Sequence, residues 1–286
     1  MRVGIHASYS EPEKLIAYCR AVGVQDICLS CSSLPGYREH GYPGLDVLKS
    51  FRRQLGEAGV TISAMIAPLP SEEAVRGEPG SEEEVGKLRK SIEVMGESGA
   101  RTALFYPFDR TLFSRRLLGE PYSRRLGSQG RYEKALRLGP EFDDWQAVVE
   151  FYQAVVDAAE KADVRLANHV WDVSLMDAVF RAVPSHHNGM QYCPGMYIIG
   201  GDPYAAVEHW GSNRIYLAHA RNLVKHGEDF KDYEEVFLDR GDVDIARCVR
   251  LLKGIGYEGV IIPEHLGEKP GEDLTPKAVQ WLKQLL

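Results

Sequence analysis

The chain has 286 residues, 44% hydrophobic and 26% charged, with a net charge of −7 and a sequence pI near 5.8. That length suits one (β/α)₈ barrel with a large core, and the acidic balance argues against a nucleic-acid-binding face. No apolar run reaches the roughly 18–20 residues of a membrane span, MRVGIHASYSEPEK lacks the apolar stretch of a signal peptide, and five cysteines, an odd number, fit reduced thiols in the cytoplasm.

RVGIHAS (2–8) is a short β-like run, and EPEKLIAYCRAVG (11–23) follows with helical spacing and a closing glycine. DICLSCS (26–32) reads as a strand and LDVLKSFRRQLGEAG (45–59) as a helix. VTISAMIAP (60–68) precedes SEEEVGKLRKSIEVMGESG (81–99), whose Ser81 and Glu84 have capping-box spacing. RTALFYP (101–107) is a fourth strand, and DDWQAVVEFYQAVVDAAEKAD (143–163) an amphipathic helix. The remaining strand–helix pairs are VRLANHV (164–170) with SLMDAVFRAVP (174–184), and NGMQYC (188–193) with DPYAAVEHWG (202–211). RIYLAHARN (214–222) pairs with VDIARCVRLLKGIGY (243–257), and GVIIPEHL (259–266) with TPKAVQWLKQLL (275–286).

Eight strand–helix units predict an α/β (β/α)₈ TIM barrel, a single domain over 1–286. A doubly wound sheet would carry a Gly-rich phosphate turn after the first strand, and HASYSEP has none. The longest structureless stretch, about 108–141, is expected to act as a lid or oligomer contact. Its basic part, RTLFSRRLLGEPYSRRLGSQGR (110–131), suits an anionic small molecule or a neighbouring subunit, and a homo-oligomer fits the common symmetric assembly of soluble proteins. Cys28 and Cys31 form C-x-x-C, but no second pair completes a zinc site, and strand alternation points them to opposite faces.

Barrel chemistry collects at the C-terminal ends of the strands. The last four strands end on His169, Cys193, His219 and Glu264. Imidazole, thiolate and carboxylate bind divalent transition metals, and strand tops converge, so the four are expected to hold one ion. A ligating thiol is deprotonated, which sets two anionic and two neutral donors around a dication and leaves room for water or substrate. Zinc, cobalt, manganese and iron are all compatible. Taken singly, each residue reads equally well as a satisfied core histidine, an inert buried thiol or a structural pair.

Other candidates lie beside these four. Arg221, two residues after His219, has the fork for a bidentate carboxylate, or serves a salt bridge. His265 is the nearest further imidazole for proton transfer, provided the chain turns after Glu264. Asn168 and Asp172 flank His169 and are expected to orient it. Asp242 is within reach of the site, although an N-cap role suits Asp242 or Asp244 equally. His6 ends the first strand and is placed in the pocket lining, as is Tyr106 after the fourth. His40, His186, His187, His209 and His226 receive no role.

YCPG (192–195), AHARN (218–222), FLDRGDVDIARCVRLLKGIGYEGVIIPEH (237–265) and PLPSEEAVRGEPGSEEEVGKLRKSIEVMGESGARTALFYPF (68–108) resemble mannonate dehydratase, within the xylose isomerase-like TIM-barrel group. The resemblance runs along most of the chain in matching order. It implies a divalent ion, manganese first and zinc, cobalt, iron or magnesium after it, on His169, Cys193, His219 and Glu264. It further implies that Arg221 binds the substrate carboxylate and that His265 does acid–base work. The sequence departs from the family's pattern in several places. The last ligand is Glu264 where the family has Asp, and HVWD stands for His-Pro-Asp-Asp-Pro. YPF stands for Tyr-Asn-Phe, and the loop after the eighth strand is reduced to GEKPGEDL. The metal ligands are thus retained, while the substrate-reading and proton-transfer parts are altered. A sugar-acid dehydratase is expected, with a metal-dependent isomerase or epimerase of a neutral sugar as the alternative and a non-catalytic metal-binding protein behind both.

Overall fold

The computed structural model describes residues 1–7, 9, 11–108, 124–126, 144–226, 232–269 and 271–286. Most of the segment 108–141, expected as a lid or oligomer contact, lies outside the described residues.

Eleven strands occur among the described residues: β1 (Arg2–Ala7), β2 (Asp26–Ser30), β3 (Thr61–Ile66), β4 (Thr102–Phe105), β5 (Arg124–Leu126), β6 (Arg165–Asn168), β7 (Asn188–Tyr192), β8 (Ile215–Ala220), β9 (Asn222–Lys225), β10 (Asp232–Val236) and β11 (Val260–Pro263). Eight close into a barrel in the order β1-β11-β8-β7-β6-β4-β3-β2, every pairing parallel. Strands β4, β7 and β11 are buried at every position, as strands covered on both faces must be. Helices form the outer layer. Trp145–Ala162 buries Val148, Phe151, Tyr152, Val155, Val156 and Ala159, a spacing of three and four that makes one apolar stripe. No helix among the described residues is long and apolar enough to cross a membrane.

Two apolar clusters fill the fold. The larger packs sheet against helices. The smaller joins Cys28, Ala64, Leu104, Ala167, Leu217, Val260 and Ile262, inward positions of six barrel strands. Side chains two residues apart on a strand share a face. The layer above this plug is therefore Ile66, Tyr106, His169, His219 and Glu264, two residues on from Ala64, Leu104, Ala167, Leu217 and Ile262. His6, level with Cys28 in the β1–β2 register, also faces inward.

Two expectations differ from the structure. The capping box at Ser81 is not formed: its hydroxyl donates to the Glu78 carbonyl at 2.7 Å, and the Glu84 carboxylate accepts from Ser71 N and Oγ, each at 2.6 Å. A bonding partner earlier in the chain outcompetes the local cap. The segment read as a loop between Asn222 and Val243 contains the antiparallel hairpin β9–β10, extended by β5 into a three-stranded sheet. The helix read over 202–211 is interrupted at Gly211, where that reading ends it: the φ of 60° and ψ of 179° there are not helical. The C-x-x-C pair separates as expected: Cys28 joins the barrel plug, Cys31 the outer core, and all five cysteines are free thiols.

Candidate metal centre

The inward layer converges where the sequence reading placed it. His169, Cys193, His219 and Glu264 each offer one donor atom, and the four atoms lie within 4.8 Å of one another. The local reason is the end of each strand: β6, β7, β8 and β11 deliver them at or just past their C-terminal residues. Cys193 Sγ is 3.5 Å from Glu264 Oε1, and His219 Nδ1 is 2.9 Å from the same oxygen. A tetrahedral ion with bonds of about 2.1–2.3 Å sets its donors about 3.4–3.8 Å apart. The cluster is therefore within small side-chain adjustments of that geometry.

The residues present fit a divalent ion on two further grounds. The Nδ1 atom of His169 is buried without a hydrogen-bond partner, an unfavourable state that a cation relieves. The electrostatics also match. Burial lowers the His169 pKa to about 3 and lowers that of His219, so both rings are held neutral, the form that ligates. Burial opposes ionisation of Glu264, but His219 and His265 outweigh it and hold its carboxyl well below the usual range. Burial, then the Glu264 charge, pushes the Cys193 thiol up, so a proton must leave when an ion binds. Thiolate and carboxylate together would balance a dication.

His6 and Tyr106 border the cluster. His6 Nε2 is 3.2 Å from His219 Nε2 and 3.7 Å from Glu264 Oε2. Burial alone would lower the His6 pKa, but contacts with Cys28 and Glu264 raise it to about 10. The Tyr106 ring centroid lies 4.7 Å from that of His169.

His265 is brought to the site because the chain turns: β11 ends at Pro263 and His265 has a φ of 50°. Its Nε2 sits 3.8 Å from Glu264 Oε2, and its Nδ1 3.1 Å from Glu235 Oε2. Arg221 is buried beside it, with Nη2 hydrogen-bonded to Glu235 Oε1 and Nη1 3.0 Å from Met196 Sδ. Burial would lower the Arg221 pKa, but Glu235 outweighs it and the guanidinium stays charged.

The two expected orienting residues, Asn168 and Asp172, and Asp242, expected within reach of the site, are engaged elsewhere. Asn168 has the opposite parity to Ala167 and His169, so it points out of the barrel. It donates to Asn188 Oδ1 at 2.8 Å and the Gly189 carbonyl at 2.6 Å, and accepts from Tyr152 at 3.2 Å. Asp172 caps the helix 173–182 through Leu175 N at 2.9 Å. Asp242 accepts from Lys225 N at 2.7 Å and fixes the hairpin, while Asp244 caps the next helix through Arg247 N at 2.8 Å. The sequence reading missed Glu235. Its signal is parity: in Tyr233-Glu234-Glu235-Val236-Phe237, residues 233, 235 and 237 are buried, so Glu235 is a charge in the apolar phase of an alternating run.

Comparison with known proteins agrees with this architecture. A family model described as xylose isomerase-like TIM barrel matches residues 16–285. Mannonate dehydratase of Thermotoga petrophila is 30% identical over 162 residues, 47% of this chain and 44% of that protein, so the match spans less than half the relative's length. Mannonate dehydratase of Oceanobacillus iheyensis is 25% identical over 269 residues, 77% of this chain and 76% of that protein. The crystal structure of mannonate dehydratase from Streptococcus suis superposes with a TM-score of 0.74 at 20% identity, covering 100% of this chain and 93% of that one. An L-ribulose 3-epimerase gives 0.69 at 18%, covering 100% and 94%. The IolI protein, solved with a zinc atom, gives 0.68 at 16%, covering 100% and 96%.

Proposed function

The chain belongs to the xylose isomerase-like TIM barrel family, and we propose that it is a divalent-metal-dependent lyase that removes water from a sugar acid to give a 2-keto-3-deoxy acid. The observation that carries this reading is the set His169, Cys193, His219 and Glu264 on one layer, with Arg221 and His265 beside it. Mannonate dehydratases of two bacteria share part or most of the chain's length.

A bound divalent ion, manganese first among the candidates, would supply Lewis-acid stabilisation of charge developing on the substrate's oxygens. The chain's own groups do the rest. The Arg221 guanidinium orients the substrate carboxylate. His265 moves a proton at the carbon next to that carboxylate, or delivers one to the departing C3 hydroxyl. Loss of the C2 proton and the C3 hydroxyl releases one water, and the resulting enol settles as the 2-keto acid. The hydrophobic plug below the layer keeps solvent from entering beneath the reacting atoms. The five free thiols suit a reducing, cytoplasmic setting.

One observation favours a second reading, an isomerase or epimerase of a neutral sugar. Arg221 already faces Glu235, so its charge is matched within the protein. A non-catalytic metal site is disfavoured by the mixed donors and by the partial exposure of His265, 18%, and His6, 27%.

The test is turnover by metal-loaded protein. D-mannonate and related aldonates are assayed for 2-keto-3-deoxy acid, beside ketoses followed for deuterium uptake from heavy water. Product from an aldonate supports the lyase. Deuterium exchange into a ketose with no aldonate turnover replaces it by the isomerase or epimerase.

A further inference from the structure

We propose that Glu235 is the positioning residue of this site, fixing through one carboxylate both the tautomer of His265 and the orientation of Arg221. Part of this rests on the reading of His265 as the proton-transfer group; the tautomer itself does not.

Glu235 comes from β10, outside the barrel strands, and is 1% exposed. Its two oxygens are divided. Oε1 accepts from Arg221 Nη2, and Oε2 lies 3.1 Å from His265 Nδ1. A buried carboxylate only accepts, so the nitrogen facing it carries the proton. In the neutral His265 ring the proton is therefore on Nδ1, and Nε2 faces the metal layer, 3.8 Å from Glu264 Oε2. That is the orientation a base needs. The same carboxylate holds the Arg221 fork from one side, while Met196 Sδ lies 3.0 Å from Nη1 on the other.

The surrounding chain is shaped for this contact. Gly267 has a φ of 72°, and a Cβ there would meet the Glu235 carbonyl at 2.6 Å. A side chain at 267 would push β10 off the turn that carries His265. Asn222 anchors the other end of the hairpin, donating to the Leu238 and Val243 carbonyls at 2.8 Å each. Glu235 is thus delivered by a strand held between Asn222 and the Gly267 turn, as a group that aims another side chain must be held.

Glu235→Gln makes a sharp test. An amide has one accepting oxygen. The Arg221 cation takes it, which turns the amide NH₂ towards His265 Nδ1. A donor facing Nδ1 moves the proton to Nε2, so the variant reverses the tautomer. The measurement is a long-range proton–nitrogen-15 spectrum of zinc-loaded protein, with the His265 signals assigned by their loss in His265→Gln. The expected result is Nδ1–H in the native protein and Nε2–H in Glu235→Gln, with Glu235→Asp keeping the native tautomer. Nε2–H in the native protein overturns the proposal without need of any Glu235 variant, as does an unchanged Nδ1–H in Glu235→Gln. If an aldonate or ketose is turned over, Glu235→Gln is expected to lower kcat about 10–100-fold with KM nearly unchanged and zinc content intact. Absence of turnover in the native protein removes the functional reading of His265 and leaves the tautomer test standing.

Discussion

His169 makes the metal-free protein sensitive to acid by an amount that follows from its burial. The residue is 8% exposed, and desolvation lowers its pKa to about 3, against 6.5 for a solvated imidazole. The folded-state value is depressed, so the unfolded chain takes up the proton first as pH falls. The stability due to neutral His169 is fully present above pH ~6.5 and is lost progressively down to about 3. Between pH 7.5 and 5.0 the linkage integral comes to about 2 kcal/mol, each further unit adding about 1.4 kcal/mol until the folded-state pKa is reached. The assay is urea unfolding of chelator-treated protein at both pH values, beside His169→Gln, which cannot titrate. Wild type should lose about 2 kcal/mol more than the variant over this interval. Parallel losses would refute the claim that burial keeps this ring neutral and ready to ligate.

Cys193→Ala should release one proton fewer on binding zinc than wild type, read by calorimetry in two buffers of different ionisation enthalpy, because burial and Glu264 keep the thiol protonated before the ion binds. Gly195→Ala should cut turnover on the order of 10²-fold in a steady-state assay, since the new Cβ would lie 2.9 Å from both Arg221 Cγ and the Arg221 carbonyl oxygen and displace that residue. Asn222→Ala should lower stability by roughly 3–4 kcal/mol in denaturant unfolding. The buried amide accepts from Leu223 N and Val243 N and donates to the Leu238 and Val243 carbonyls; the Val243 carbonyl keeps its bond from Ile245 N, while the other three backbone groups lose a buried partner.

The barrel was legible because each strand is a short apolar run closed by a helix of opposite periodicity, and element ends fall within a few residues of the reading. The ligand set was legible for the same reason. His169, His219 and Glu264 share parity with Ala167, Leu217 and Ile262, so an inward phase visible in the sequence continues into the site. Parity also shows why Asn168 could not serve His169: adjacent strand residues face opposite ways, and its partners are Asn188 and Tyr152. What escaped the sequence was non-local. Glu235 meets His265 across thirty positions through a hairpin that local patterning read as loop. Ser81 and Glu84 had the right spacing for a cap, yet Ser71, brought close by the fold, took the carboxylate. Spacing reports which face a residue occupies, whereas partners on that face depend on what the fold delivers there.

The most direct measurement is the metal content of purified wild type and of His169→Ala, Cys193→Ala, His219→Ala and Glu264→Ala after identical loading and desalting. A single four-donor centre predicts one ion per wild-type chain and substoichiometric metal in every variant whose fold is intact by circular dichroism. A metal-free wild type, or variants that keep a full equivalent, would show that these four side chains are not a metal centre.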